Sequence, residues 1–188
     1  MATLATLEQL KGVLNAGQPN ARFDESLAEL YLEAATDQVQ GWCEREFLPD
    51  PAPSDTEPPA AAVTRTVHAA GRRMVRVPDV RQLEACTADG VSLDDVELVR
   101  RRHDEPAHAI IIDRDARHLE LTGWFGWDPV PAAVVSATLT LAARAWHERD
   151  NRFADSTVDP MGPSAQYYRD LPASAKAQLA LYRIPGIS

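Results

Sequence analysis

Residues 121–131 read L-T-G-W-F-G-W-D-P-V-P, and an alanine- and valine-rich run leads from them to R-A-W-H-E-R at residues 144–149. A strand-like end meets a corner of glycines and aromatics, and Pro129 and Pro131 then open a helix, where a missing N–H costs nothing. Three of the 4 tryptophans, Trp124, Trp127 and Trp146, fall in or just after this join. Gly123-Trp124-Phe125-Gly126 runs into prolines rather than a Gly-Lys-Ser/Thr turn, so it reads as a tight corner with aromatics packed beneath it, not as a phosphate loop. The stretch separates a β region before it from a helical region after it.

Downstream, the spacing predicts a helix over 129–150. Val134, Val135, Thr138, Leu139, Leu141, Ala142, Ala145 and Trp146 give it a broad apolar face, and Arg144, Glu148 and Arg149 a wet one. Residues 151–170 read as loop. Pro172 opens a short helix through Ala175, Leu179 and Tyr182, and Pro185-Gly186 ends it.

Upstream, residues 61–122 alternate. Val63–Val67 and Met74–Val77 flank Ala70-Gly71, a hairpin signal. Leu83–Thr87 is followed by an Asp89-Gly90 turn, and Val96–Val99, Ala109–Ile112 and His118–Thr122 complete five or six short strands. Polar turns between them imply a small antiparallel sheet. Before the sheet, residues 48–60 hold five prolines and read as an extended linker.

The N-terminal part is predicted as two helices. In 3–14, Thr6-Leu7-Glu8-Gln9 fits a capping box. In 24–47, Asp24 is a good N-cap. Its apolar face runs through Leu27, Leu30, Tyr31, Ala34, Ala35, Val39, Trp42, Cys43 and Phe47, and its other face carries Glu25, Glu29, Glu33, Asp37 and Glu44. Gly41 costs this helix ~1 kcal/mol against alanine and would admit close approach of another backbone. Leu27, Leu30, Tyr31, Trp42 and Phe47, with Val135, Leu139 and Trp146, are the expected core. The expected fold is α+β, mainly α: a helical bundle of two long and two short helices with a small antiparallel β unit inserted between the long ones. It forms a single domain over 1–188, divided into N-terminal helices (1–47), linker (48–60), β unit (61–122), long helix (129–150) and a loop with the C-terminal helix (151–188).

Composition narrows the function. Hydrophobic residues make up 45% and charged residues 25%, as in a globular chain. Net charge is −9, and residues 1–50 alone carry nine acidic against three basic side chains. That is the opposite of a conventional DNA-binding footprint. Arg72-Arg73 and Arg100-Arg101-Arg102 read as solvated strand ends or intersubunit contacts. No apolar run is long enough to span a bilayer, and the N-terminus lacks the basic-then-apolar pattern of a secretory signal. A cytoplasmic protein, or one built into a particle made in the cytoplasm, is expected. Cys43 and Cys86 form no CxxC and read as reduced, partly buried thiols. The 5 histidines lack metal-ligand spacing, and no GxSxG, P-loop or GxGxxG occurs. No catalytic residue, metal or cofactor is expected, so the chain reads as a non-enzyme.

The order of these parts, with W-C-E-R-E-F at Trp42–Phe47, the corner from Thr122 to Pro131 and Leu181-Tyr182-Arg183, resembles the head–tail connector (adaptor, or head-completion) proteins of long-tailed bacteriophages. The resemblance covers nearly the whole chain. It implies a structural virion protein of the neck that forms a ring beneath the portal vertex, with twelve-fold symmetry matching the portal. Such a ring extends the DNA channel, helps retain packaged DNA and offers a platform for the next neck or tail protein. The implied partners are the portal protein, further copies of this chain, that next protein, and DNA passing through without sequence-specific binding; no membrane is involved. Phe153, Tyr167, Tyr168, Arg169, Tyr182 and Arg183 would then contact the portal or a neighbouring subunit, and Glu29, Glu33 and Asp37 would face the channel or the adjacent subunit. The alternatives are another neck or tail-completion protein of the same particle, and a cytoplasmic small-molecule-binding domain with its site near Trp124 and Trp127.

Overall fold

The computed structural model describes residues 2–15, 23–50, 61–148, 157–159, 162–164 and 171–184. Along them run helices α1 (Leu7–Asn15) and α2 (Glu25–Cys43), then strands β1 (Val63–Ala88), β2 (Val91–Ser92), β3 (Val96–Val99) and β4 (Ala107–Phe125). Helix α3 (Ala132–Glu148), the short strands β5 (Thr157–Asp159) and β6 (Gly162–Ser164), and helix α4 (Ala173–Leu179) follow. The chain divides into two compact units: a helical one from residues 1–44 and 131–188, and a β unit from residues 45–130.

In the helical unit the predicted caps form. Thr6 Oγ1 accepts from the Gln9 N–H at 3.2 Å while Gln9 Oε1 accepts from the Thr6 N–H at 2.8 Å, the reciprocal pair of a capping box. Asp24 Oδ1 accepts from the Leu27 N–H at 3.1 Å. Helix α2 ends at Cys43 because Glu44 turns left-handed, with φ 54°, and its N–H closes on the Gln40 carbonyl. Helix α2 packs on α3, and α3 on α4. Its buried side is Ala28, Leu32, Ala35, Thr36, Val39 and Cys43. This side shares Ala35, Val39 and Cys43 with the expected one but is shifted toward Ala28 and Leu32: Leu30 lies outside, 57% exposed, and Leu27 and Tyr31 are only partly buried. The apolar residues of α2 cover more than one stripe. The alanines decide between stripes, since Ala28 and Ala35, like Ala137 and Ala142 of α3, let two backbones approach closely. The Leu4 N–H donates to Thr36 Oγ1 at 3.2 Å, fastening the N-terminal segment to α2. Phe23 stacks on Trp146 at 4.7 Å, with Tyr31 edge-on to the same indole at 6.5 Å.

In the β unit the expectation of a mainly helical bundle with a small β insertion is overturned. β1 and β4 run 26 and 19 residues, against 19 and 17 for α2 and α3. Val96–Val99 forms a separate strand as predicted, but the other short segments join into β1 and β4, because the turn residues between them bend the strand without ending its pairing. The register shifts between His68 and Arg72 and again between Arg76 and Val80 absorb them. The sheet order is β2-β1-β4-β3, antiparallel throughout. One arrangement defines the unit: Val63 and Leu83 both pair with Gly123, and Val67 and Ala88 both pair with Leu119. Two stretches of β1 therefore flank the same stretch of β4 on opposite edges. Between them lies a continuous core that includes Val75, Val80, Ile110, Ile112, Leu119, Leu121 and Phe125. The Asp89-Gly90 turn forms as predicted, both residues at positive φ (48° and 83°). Asp89 also accepts from the backbone N–H groups of Arg117 (3.0 Å) and His118 (2.9 Å).

Candidate assembly surfaces

The corner at residues 121–131 is held by backbone geometry before any side chain contributes. A Cβ on Gly123 would lie 2.2 Å from the Gln82 carbonyl oxygen, and one on Gly126, at φ +75°, would lie 2.0 Å from that of Leu48. Only glycine fits either place. Asp50 and Phe125 exchange both backbone hydrogen bonds (3.0 and 2.7 Å), the Gly126 N–H donates to the Asp79 carbonyl at 2.6 Å, and the Trp127 N–H to the Phe47 carbonyl at 3.2 Å. The segment 45–50 is thereby laid against the end of β4, and the Phe47 and Trp127 rings meet at 5.7 Å.

A buried ionic group locks this corner. Arg45 donates to Asp79 Oδ1 through Nε (2.8 Å) and Nη2 (2.5 Å), to Glu105 Oε2 through Nη1 (3.1 Å), and to the Pro106 carbonyl (3.2 Å). The three side chains are 1%, 2% and 3% exposed. Asp79 Oδ2 also accepts from the Glu46 N–H at 2.8 Å, and the guanidinium lies 4.8 Å from the Trp127 ring centroid. Burial pushes the Asp79 carboxyl above the ordinary carboxylate range, and Arg45 pulls it part of the way back. Around the same segment Arg65 pairs with Glu46 and with Asp50 and covers the Phe125 ring at 4.6 Å. His108 is pushed below its ordinary value by burial and then by the charges of Arg45 and Arg76. Arg45, Asp79 and Glu105 satisfy one another and hold a shape. Trp127 is itself buried and packed between Phe47 and Arg45. Among the described residues no group of three or more His, Cys, Asp or Glu could hold a metal ion.

The residues singled out from the sequence fall in three places. Tyr182 and Arg183 follow α4, where Arg183 lies over the Trp42 ring at 5.0 Å and the Ile184 N–H donates to the Cys43 carbonyl at 3.2 Å. Phe153, Tyr167, Tyr168 and Arg169 lie outside the described residues. Glu29 and Asp37 are exposed along α2, with Glu33 partly buried. Gly41 is also exposed, with nothing within 4 Å of a Cβ placed on it, so among the described residues no backbone uses its small size.

Sequence reasoning missed Arg45, because an arginine in W-C-E-R-E-F reads as surface. It also missed the exposure of Leu30 and of the cross-strand pair Met74 and Ile111, 46% and 36% exposed. The nearest available signal for that pair was the arginine-rich flank of Met74.

The fold these elements define is shared with proteins of phage-like particles. The chain is similar in structure to one described as part of the neck of an empty gene transfer agent particle computed with C6 symmetry. The TM-score is 0.60 at 16% identity, over 100% of this chain and 95% of that one. A chain from the virion of the native gene transfer agent particle gives 0.59 at 15% identity over the same shares. No family model and no curated protein matches the sequence.

Proposed function

We propose that this chain is a structural, non-enzymatic protein of the neck of a tailed, phage-like particle, and within it the head–tail connector. It forms a ring beneath the portal, extends the DNA channel, helps retain packaged DNA and seats the next neck or tail protein. The observation that carries this reading is the end-to-end likeness to a chain of a gene transfer agent neck, at a TM-score of 0.60 over 100% of the chain. The six-fold symmetry named for that neck is compatible with the twelve copies expected from the resemblance to connector proteins. The architecture suits the role. A corner fixed by glycines and a buried ionic group keeps its shape under load, and a surface poor in basic residues over 1–50 does not retain DNA.

In this reading the segment from Phe153 through Tyr167, Tyr168 and Arg169 to Tyr182 and Arg183 meets the portal or a neighbouring copy. Glu29, Glu33 and Asp37 face the channel or the adjacent subunit. The likeness to a neck chain also supports a neighbouring place in the same neck, and portal binding separates the two. Sedimentation of the purified protein with its particle's portal ring is expected to give co-sedimentation near one chain per portal subunit. A protein that assembles but ignores the portal belongs elsewhere in the neck, and one that does neither overturns the reading.

A further inference from the structure

We propose that, in the ring, the outward face of α2 on one copy docks on the outward face of β1 and β4 on the next, apolar residues meeting at the centre and acid meeting base around them. The proposal rests on the neck reading above and names the contact that builds the ring.

Two patches of this chain complement each other. The first is on α2, whose 19 residues include Glu29, Glu33 and Asp37 and not one lysine or arginine, with Glu25 at its start paired to Lys11 at 2.8 Å. Leu30 stands among these acids, 57% exposed. A lone exposed leucine is ordinary; the second patch gives this one a counterpart. Met74 of β1 and Ile111 of β4 are register partners, both exposed, and so adjacent on one face of the sheet. Arg76 lies two residues along β1 from Met74 within an unbroken run of pairing, hence on the same face, and is exposed. Arg72 and Arg73 are exposed at the adjoining turn, Arg73 paired with Asp115 at 3.5 Å. On the far side of Ile111 its β3 partner is Glu97, also exposed. An acidic helix is repelled there, so it lies toward β1.

The two patches differ, so the contact is head-to-tail: each copy offers its α2 to one neighbour and its sheet to the other. Contacts of that kind repeat into rings where the rotation closes and into open filaments where it does not, and the neck reading selects the ring. A two-fold dimer through α2 would set acid against acid.

The test uses the full chain in two surface variants, Glu29→Arg with Asp37→Arg, and Arg72→Glu with Arg76→Glu. Circular dichroism confirms that both fold. Assembly is read by sedimentation velocity, for the protein alone at high concentration and on its particle's portal ring. Each variant alone sets like charges together and is expected to associate at least about tenfold more weakly than wild type. An equimolar mixture is expected to recover assembly, because alternating copies restore opposite charges at every interface. If either variant assembles as wild type does, or if the mixture fails to recover, the contact is wrong while wild-type portal binding leaves the neck reading standing. If wild type neither self-associates nor binds the portal ring, both fall.

Discussion

Replacing Arg45 by methionine removes a side chain of similar length together with the cation that bonds to both Asp79 and Glu105 in the buried group, leaving Glu105 with the more distant Arg102 at 3.8 Å. Both carboxyls are almost fully buried, at 2% and 3% exposed, so neither gains water in exchange. Breaking a buried pair from one side costs about 3–5 kcal/mol, because the desolvated partner is left uncompensated. Against a whole-domain stability of about 5–15 kcal/mol, that is a large fraction. With a urea slope of about 2 kcal/mol/M, the midpoint of the β unit falls by about 1.5–2.5 M. The assay is urea unfolding of the full chain followed by tryptophan fluorescence, since Trp127 lies against Arg45 and reports on this corner. Two further results are expected. Adding Asp79→Asn and Glu105→Gln to Arg45→Met removes the stranded charges and recovers part of the loss. Lowering the pH also narrows the deficit. Asp79 already has its folded value raised, and without Arg45 it rises further. A carboxyl raised in the folded state binds its proton there more readily than in the unfolded chain. Its contribution to stability is therefore fully present below the ordinary carboxylate value and is lost as pH rises through the folded value. A midpoint drop under about 0.5 M at neutral pH, or a deficit that grows on acidification, would refute the reasoning.

Three other outcomes are expected. Gly126→Ala, which places a Cβ on the Leu48 carbonyl at a positive φ, destabilises by more than ~2 kcal/mol, whereas Gly41→Ala, in open space on α2, stabilises by ~0.5–1 kcal/mol; thermal unfolding of the two variants should shift in opposite directions. The Asp89 carboxyl is held below its ordinary value by hydrogen bonds from the Arg117 and His118 backbone N–H groups. Its stabilisation is present above the ordinary carboxylate value and lost as pH falls through the lowered one, so Asp89→Asn should flatten the acid limb of the melting-temperature profile, and parallel limbs would exclude it. Cys43 and Cys86 are 0% and 2% exposed, and burial raises the Cys86 thiol further from its thiolate. Neither should react with a thiol reagent until the chain unfolds, and prompt labelling of the native protein would contradict the packing.

What the sequence revealed was local. The capping box at Thr6–Gln9, the Asp24 cap and the Asp89-Gly90 turn each depend on a few adjacent residues, and each formed. Hidden was whatever depends on distant partners. Alternation across 61–122 marks strands but does not say that Ala70-Gly71 and Pro78-Asp79 lie within one long strand, because continuity is set by what β4 offers on both its edges. On α2, a wide apolar face did not say which of its residues would be covered; packing with α1 and α3 buries Ala35, Val39 and Cys43 and leaves Leu30 outside. Arg45 carries no local sign of burial; its partners stand 34 and 60 residues away. The exposed Glu29 and Asp37 were legible because a helix built with acids and no bases has few places to put them except outside.

The double flanking of β4 also sets the timing of synthesis. The 26 residues of β1 leave the ribosome well before any of β4, yet β4 pairs with β1 along both its edges. Until residue 125 has emerged, β1 has the two-residue β2 paired at its end and long open edges elsewhere, the form most prone to join another chain. The β unit therefore closes late and nearly all at once, when its last strand is drawn between two stretches already made. A chain cut short before β4 would lose the whole unit rather than one strand of it.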